Sequence, residues 1–363
     1  MEHELYDTPE KDVLVLNYTL ACPLSCDFCC YGCHPKRKEK MPLEAAKSLI
    51  TEAAALPSFT SIGLTGGEVF MFEEELILLS EHIHLNGFPF TVATAAHWAT
   101  SIERSRDLAK TLVSNGLKRA NISCDYAHAE FVPRENVIRA ALAFAELKIP
   151  VYIVGTFIDA KSSLELFIPE LLNQPYIYLR TKRIAKIGRA TKTHVQYDLA
   201  DENSVEKSCY RRRHHDLVVF WDGNVYPCCS TFNRATNGLS LGNAFEMPLK
   251  EIWKKLEFSS LFRIMKTTGF RQIIEILGRY DNKLMSQLPD LKTFPGACSY
   301  CNSVFSNRRI SDEIKNIFAL YEADTLVAAY GELAVLLGEE NVAQLFGDFT
   351  FTATLENSNA SKF

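Results

Sequence analysis

Residues 22–29 read CPLSCDFC, which spaces three thiols as Cys22-x3-Cys26-x2-Cys29. Three thiolates can hold three irons of a [4Fe–4S] cubane and leave the fourth iron open. An open iron can chelate S-adenosylmethionine (SAM) and pass it an electron. The sulfonium then breaks and releases a 5′-deoxyadenosyl radical, chemistry that the cofactor carries and the protein aims. Zinc is the other reading of these thiols. A closed zinc site needs a fourth ligand nearby and commonly uses two CxxC pairs. Cys30, Cys33 and His34 stand close enough in sequence to supply one.

A second motif follows about forty residues later. Gly66-Gly67-Glu68 sits inside TGGEVF, directly after an apolar run. Glycines let backbone approach a ligand closely, and a carboxylate beside them can accept from an ammonium group such as the methionine amine of SAM. Phe28, just before the third cysteine, can offer an aromatic wall to adenine or pack the loop. Cys209, Cys228 and the pair Cys298-x2-Cys301 form a distant second set of four thiols. Four thiolates suit a second cubane or a structural zinc. Cys229 is left over beside that set. A spare cysteine usually behaves as a small apolar residue, but a thiol hydrogen is also readily given to a carbon radical. Cys30, Cys33 and Cys124 allow the same two readings.

The elements that must position these groups are legible as alternating runs. VLVLNYTL (13–20), SIGLTGG (61–67), FTVATAA (90–96), LKRANISC (117–124), VYIVGTFI (151–158) and YIYLRTKRI (176–184) are β-branched and bounded by turn residues. Helical stretches such as 42–56 and 135–148 lie between them, with Pro42 suited to a first turn. Strand–helix alternation argues for a parallel sheet covered by helices. Six units resemble a partial (β/α)6 barrel of the TIM type, in which function gathers at the C-terminal ends of strands. Both motifs fall at such ends. So do Asn121 and Ser123, which can bond the SAM carboxylate or ribose, Thr156 on the fifth run, His128, and 183–188 after the sixth.

The second region, 204–307, opens on DLVVFWDGNVYPCC, a hairpin pattern turning at Asp222-Gly223-Asn224. Helical sequence follows and ends before PGACSYC (295–301). The expected organisation is an α/β barrel over 12–200, a small α+β domain over 204–307 and a helical extension over 308–363. The polar stretch 193–204 marks the boundary.

The chain has 363 residues, of which 47% are apolar, and a net charge of −5. That length accommodates two or three domains, and the charge gives no basic footprint for nucleic acid. No run approaches the ~20 apolar residues of a membrane span, and the acidic start lacks an apolar signal region. Eleven cysteines without such a signal point to a reducing cytoplasm and to metal or catalysis.

CPLSCDFC with TGGEVF resembles the radical SAM superfamily. The resemblance implies one [4Fe–4S] cluster on Cys22, Cys26 and Cys29, with SAM on its open iron. Cys209, thirteen residues, Gly223, four residues and Cys228 resemble the opening of SPASM/Twitch auxiliary-cluster domains. With no cysteine after Cys301, the likeness is to the shorter Twitch form and implies one auxiliary [4Fe–4S] cluster.

SCDFCCYG, ISCDYAHAEFV, DGNVYPCCS, the helix around GFRQIIEIL and CSYCNSVFSN together resemble YydG-type (Epe-type) radical SAM peptide epimerases over roughly 13–307. In that family the 5′-deoxyadenosyl radical takes an α-hydrogen from a ribosomally made peptide. A cysteine then returns hydrogen on the opposite face, turning an L-residue into a D-residue. The matching position is Cys229, and an acidic residue upstream of the hairpin maps to Asp216. The implied partners are a precursor peptide and a low-potential electron donor such as flavodoxin or ferredoxin. The segment CYRRRHHD (209–216) is longer and more basic than the family pattern, and the tail is extended. Arg211, Arg212, Arg213, His214 and His215 read as a solvated loop or as a contact to an acidic peptide. Cys22 comes too early to leave room for a leader-binding domain, so peptide recognition is expected at the barrel mouth, the auxiliary domain or a partner. Two rivals remain: oxidation or crosslinking of a peptide through the auxiliary cluster, and a non-catalytic cluster- or zinc-binding protein.

Overall fold

The computed structural model describes residues 12–159, 161–184, 188–192, 216–228, 238–294 and 297–346. Cys209, Cys229 and the basic run 211–215 lie outside the described residues, as does the boundary segment 193–204. Cys298 is described as backbone only.

Six strands follow the apolar runs closely: β1 (Asp12–Asn17), β2 (Phe59–Thr65), β3 (Phe90–Thr94), β4 (Leu117–Ser123), β5 (Val151–Phe157) and β6 (Ile177–Arg183). All pair in parallel with their sequence neighbours. Parallel neighbours need crossovers. These are α1 (Leu43–Ala54), α2 (Glu73–Leu85), α3 (Ile102–Ser114), α4 (Tyr126–Ala129) with α5 (Arg134–Glu146), and α6 (Leu164–Phe167). Pro42 takes the cap position rather than the first turn of α1. The amphipathic stripes of these helices cover one face of the sheet. Under them Leu14, Leu16, Ile62, Phe90, Ala120, Ile122, Val151 and Ile153 are almost completely buried. Successive strand residues point to opposite faces, so the other face carries Val15, Gly63, Thr91, Arg119, Asn121, Ser123, Tyr152, Val154 and Thr156. A Cβ on Gly63 would meet Val15 Cγ2 at 3.2 Å and Thr91 Oγ1 at 3.6 Å, which sets these residues side by side. Several of them are half-buried, as expected of an open barrel face.

The second region continues the same sheet. β7 (Asp216–Phe220) pairs in parallel with β1, and β8 (Asn224–Tyr226) and β9 (Gly242–Asn243) add antiparallel. The sheet has nine strands in the order β6-β5-β4-β3-β2-β1-β7-β8-β9. Gly223 makes the hairpin turn at φ +82°, with its N–H on Phe220 O. Helices α7 (Leu249–Glu257), α8 (Ser260–Thr267), α9 (Phe270–Tyr280) and α10 (Asn282–Met285) follow. The CxxC pair lies within α11 (Ala297–Phe305), whereas the sequence reading ends the helical stretch before it. Tyr300 and Phe305 anchor that helix in the core.

The tail is two helices, α12 (Arg308–Leu337) and α13 (Glu339–Phe346). The buried side chains of α12, among them Ile310, Ile314, Ile317 and Phe318, all come from its first half. Among the described residues, no helix is long and apolar enough to cross a membrane.

Phe144 on α5 is fully buried and meets Trp98 edge-on, with ring centroids 6.1 Å apart. Truncating a buried phenylalanine leaves a cavity the neighbours only partly fill. Phe144→Ala should cost about 3–5 kcal/mol, measured by urea denaturation of the cluster-free protein. A loss below about 1 kcal/mol would contradict this packing.

Candidate active site

β1 ends at Asn17, and the three-cysteine loop starts there. The neck of the loop is closed by backbone bonds: Tyr18 N–H donates to Thr65 O (2.8 Å), Met41 N–H to Tyr18 O (2.7 Å) and Leu20 N–H to Glu39 O (2.9 Å). Thr19 Oγ1 donates to Glu39 O and accepts from Ala21 N–H. The stretch Thr19–Ala21 then lies on the turn after β2. Gly67 N–H donates to Thr19 O at 2.6 Å, and Glu68 N–H to Ala21 O at 2.9 Å. A Cβ on Gly66 would fall 2.5 Å from Thr19 O, and one on Gly67 would fall 2.2 Å from Ala21 O. Both glycines are needed because protein backbone crosses them. The close approach expected here for a ligand is made, at these two Cα atoms, by the cysteine loop.

Glu68 also differs from the sequence expectation. Its side chain is 0% exposed, and its carboxylate accepts from Phe70 N (3.2 Å), Thr94 Oγ1 (3.0 Å) and Ala95 N (2.6 Å). The proposed ammonium acceptor is thus occupied within the protein and ties the end of β2 to the end of β3. Thr94 extends the network by accepting from Ala96 N and Trp98 Nε1. Glu68 shapes the rim, and what this carboxylate leaves open to a ligand is the backbone around it.

Cys22, Cys26 and Cys33 are buried with Leu20, Leu24, Ala95 and Val132, and Cys29, Tyr31, Ala127 and Trp221 pack against them. Four thiols, Cys33 besides the three of the motif, therefore share one apolar cluster at the C-terminal rim. Among the described residues, no three His, Cys, Asp or Glu side chains converge where a single metal ion could sit. A cubane asks for a different geometry, since each thiolate meets its own iron. The donor set and its surroundings fit such a cluster. Cys33 N–H points at Cys29 Sγ at 3.4 Å, a contact that favours thiolate. The Cys29 thiol is pulled down to about 5, first by its bond with the Cys33 thiol, then by backbone N–H groups and the Arg189 charge. The same bond pushes Cys33 upward. Burial pushes Cys22 up to about 12, and iron must overcome this because a ligating thiol is deprotonated.

Phe28 faces His128, ring centroids 5.7 Å apart. His128 is fixed by Asp125, whose Oδ1 accepts from both its backbone N–H (3.1 Å) and its Nδ1 (2.8 Å). Oδ2 of the same carboxylate accepts from Thr156 N–H at 3.0 Å. Burial works to lower the His128 pKa, but bonds to Asp125 and Cys26 outweigh it and raise the value to about 10. The Asp125 carboxylate thus favours the charged imidazolium at this edge of the loop. Asp125 binds β4 and β5 to this corner. Its role was hidden in sequence, although an aspartate just past a strand and before a short helix is an N-cap signal. Asn121, Ser123 and Thr156 lie half-buried on the open face below, with Asn121 Nδ2 donating to Val92 O at 3.3 Å. Asn17 ends β1 on the same face, fully buried, with neither amide atom hydrogen-bonded among the described residues.

The remaining predicted residues divide. Cys124 is buried among core side chains as a small apolar residue, and burial pushes its thiol up to about 12. Asp216 begins β7 opposite Val13. It lies at the far end of the strands from the cysteine loop, roughly 13 Å along β7 from Phe220 at about 3.3 Å per residue. Cys228 follows β8, and Cys301 is buried on α11, where Cys298 stands one turn earlier.

Gly67→Val should lose iron and SAM affinity together, because its side chain would displace Ala21 and the loop behind it. The check is iron per chain and SAM binding in folded, reconstituted protein. Full iron with weakened SAM binding would instead make the turn a direct ligand contact.

Residues 16–159 match the model of the radical SAM superfamily, and residues 209–276 match that of SPASM, an iron–sulfur cluster-binding domain. The chain is 26% identical over 303 residues to YydG of Bacillus subtilis (strain 168), a protein named for peptide biosynthesis, covering 80% of this chain and 91% of that one. Its fold is similar to the crystal structure of Streptococcus suis SuiB bound to S-adenosylmethionine, with a TM-score of 0.52 at 15% identity over 76% of each chain. The chain thus carries a radical SAM domain, which binds SAM and a [4Fe–4S] cluster, followed by a SPASM/Twitch-type domain for an auxiliary iron–sulfur cluster.

Proposed function

We propose that this chain modifies a ribosomally made peptide and that the modification is epimerisation of an L-residue to a D-residue. The observation that carries the reading is its similarity to YydG across nine-tenths of that protein, named for peptide biosynthesis. When bound, the reduced cluster and SAM supply a carbon radical able to take a hydrogen atom from an α-carbon. The chain's own residues do the rest. Cys22, Cys26 and Cys29 hold the SAM-binding cluster at the rim. The SAM site is formed by Phe28, the backbone around Gly66, Gly67 and Glu68, and the polar side chains of Asn121, Ser123 and Thr156. The open face below offers polar, aromatic and basic side chains, Asn121, Tyr152 and Arg119 among them, for an extended peptide to lie against.

In this reading Cys209, Cys228, Cys298 and Cys301 hold the auxiliary cluster. Cys229, next to one of them, gives a hydrogen atom to the far face of the peptide radical. The sulfur radical left behind takes up one electron and one proton to restore the thiol. Asp216, at the start of β7, is the acidic residue upstream of the hairpin turn that the family resemblance assigns to catalysis. A small low-potential protein such as flavodoxin or ferredoxin supplies the electrons.

Cys229→Ala should keep both clusters and still cleave SAM, yet yield no D-residue. Iron content, 5′-deoxyadenosine and chiral amino-acid analysis, run with a precursor peptide that the enzyme accepts, read out the three steps. In D2O, epimerisation adds one mass unit to the product, whereas oxidation or crosslinking removes two. Normal D-residue yield from the variant would reject the donor role, and loss of half the iron would make Cys229 a ligand.

A further inference from the structure

One residue from far along the chain closes the three-cysteine loop from outside. Arg189 lies in the short 3-10 turn Gly188–Lys192, after β6. Its backbone N–H donates to Cys29 O at 3.1 Å. Its Nη1 donates to Ser25 Oγ at 3.1 Å and its Nη2 to Cys33 O at 2.6 Å, across 164 and 156 residues of sequence. The acceptors are spread through the loop: one precedes Cys26, one is Cys29 itself and one follows it by four residues. Gly188 permits this approach. It adopts φ +57°, and a Cβ there would fall 2.5 Å from Cys30 Cα and 2.7 Å from Cys29 O. All three acceptors are neutral oxygens, so these bonds orient the guanidinium without cancelling its charge.

We propose that Arg189 is the positioning residue of the three-cysteine cluster, closing the loop on its ligands and setting the cluster's reduction potential with its charge. This rests on the reading of Cys22, Cys26 and Cys29 as ligands. One-electron reduction adds a negative charge to the cluster. A half-buried cation beside it favours the reduced form, since net charge and hydrogen bonding tune such potentials and partial burial weakens screening by water. The planar fork of arginine also reaches two acceptors at once, which a lysine ammonium does not reproduce.

The test is a potentiometric titration of reconstituted full-length protein, followed by electron paramagnetic resonance. The relevant cluster is identified as the one whose signal changes on adding SAM. Arg189→Met should retain that signal with a midpoint lowered by about 59 mV, a tenfold change for a one-electron couple. Arg189→Lys should fall between it and the wild type. An unchanged midpoint in Arg189→Met overturns the proposal. If the methionine variant cannot hold the cluster, the lysine variant decides. Retained iron with a midpoint below wild type by less than about 59 mV supports the role, and an unchanged midpoint overturns it. Iron lost in both variants reduces Arg189 to a structural staple and overturns the electrostatic part. Failure of the underlying reading looks different: a triple Cys22→Ala, Cys26→Ala, Cys29→Ala protein would keep the SAM-responsive signal.

Discussion

The crossing of two backbones at the rim of the sheet governs this site. Thr19–Ala21 passes over Gly66–Gly67 so closely that neither glycine has room for a Cβ, and two N–H···O bonds lock the crossing. Everything that bears on chemistry hangs from that contact. It fixes the direction in which the cysteine loop leaves β1, and so the pocket its thiols share. It also fixes the start of the turn whose next residue, Glu68, ties β2 to β3 with a buried carboxylate. A buried carboxylate is costly unless its oxygens are hydrogen-bonded. Here three donors meet it, one of them a backbone N–H of the adjacent strand's exit. The rim is therefore set by backbone and buried polar bonds, and has little freedom to adjust to a ligand.

Two further clamps complete the arrangement from other parts of the chain. Asp125 joins β4 to β5 and holds His128 against the loop, and Arg189 returns from beyond β6 to close it. The loop is thus gripped by residues from the ends of the second, fourth and sixth strands. Such distributed support suits a cluster site, where geometry must persist although the loop itself has little regular structure.

Much of this was legible in sequence, and for identifiable reasons. The strands are apolar, β-branched and bounded by turns, so their positions could be read to within a few residues, and parallel connectivity followed from the helices between them. The Cys22, Cys26 and Cys29 spacing carries its chemistry locally. What stayed hidden depends on contacts between distant residues. Nothing near Arg189 in the sequence says that it meets Ser25 and Cys33. Glu68 beside two glycines looks like a ligand contact until the fold shows Thr94 and Ala95 already bonded to it. The hairpin after Asp216 was legible as a hairpin, but its pairing with β1 was not, because a parallel pair between segments two hundred residues apart leaves no local signature.

That pairing places β1 in the interior of the sheet, with β2 on one side and β7 on the other. A fragment ending after β6 would leave one flank of β1 with a row of unpaired N–H and C=O groups beneath the very loop that carries the thiols. Exposed strand edges of this kind recruit other chains. The first half of the molecule, although it holds all three rim cysteines, is for this reason a poor candidate for independent life: severed from the hairpin, it would offer a sticky seam to its own copies.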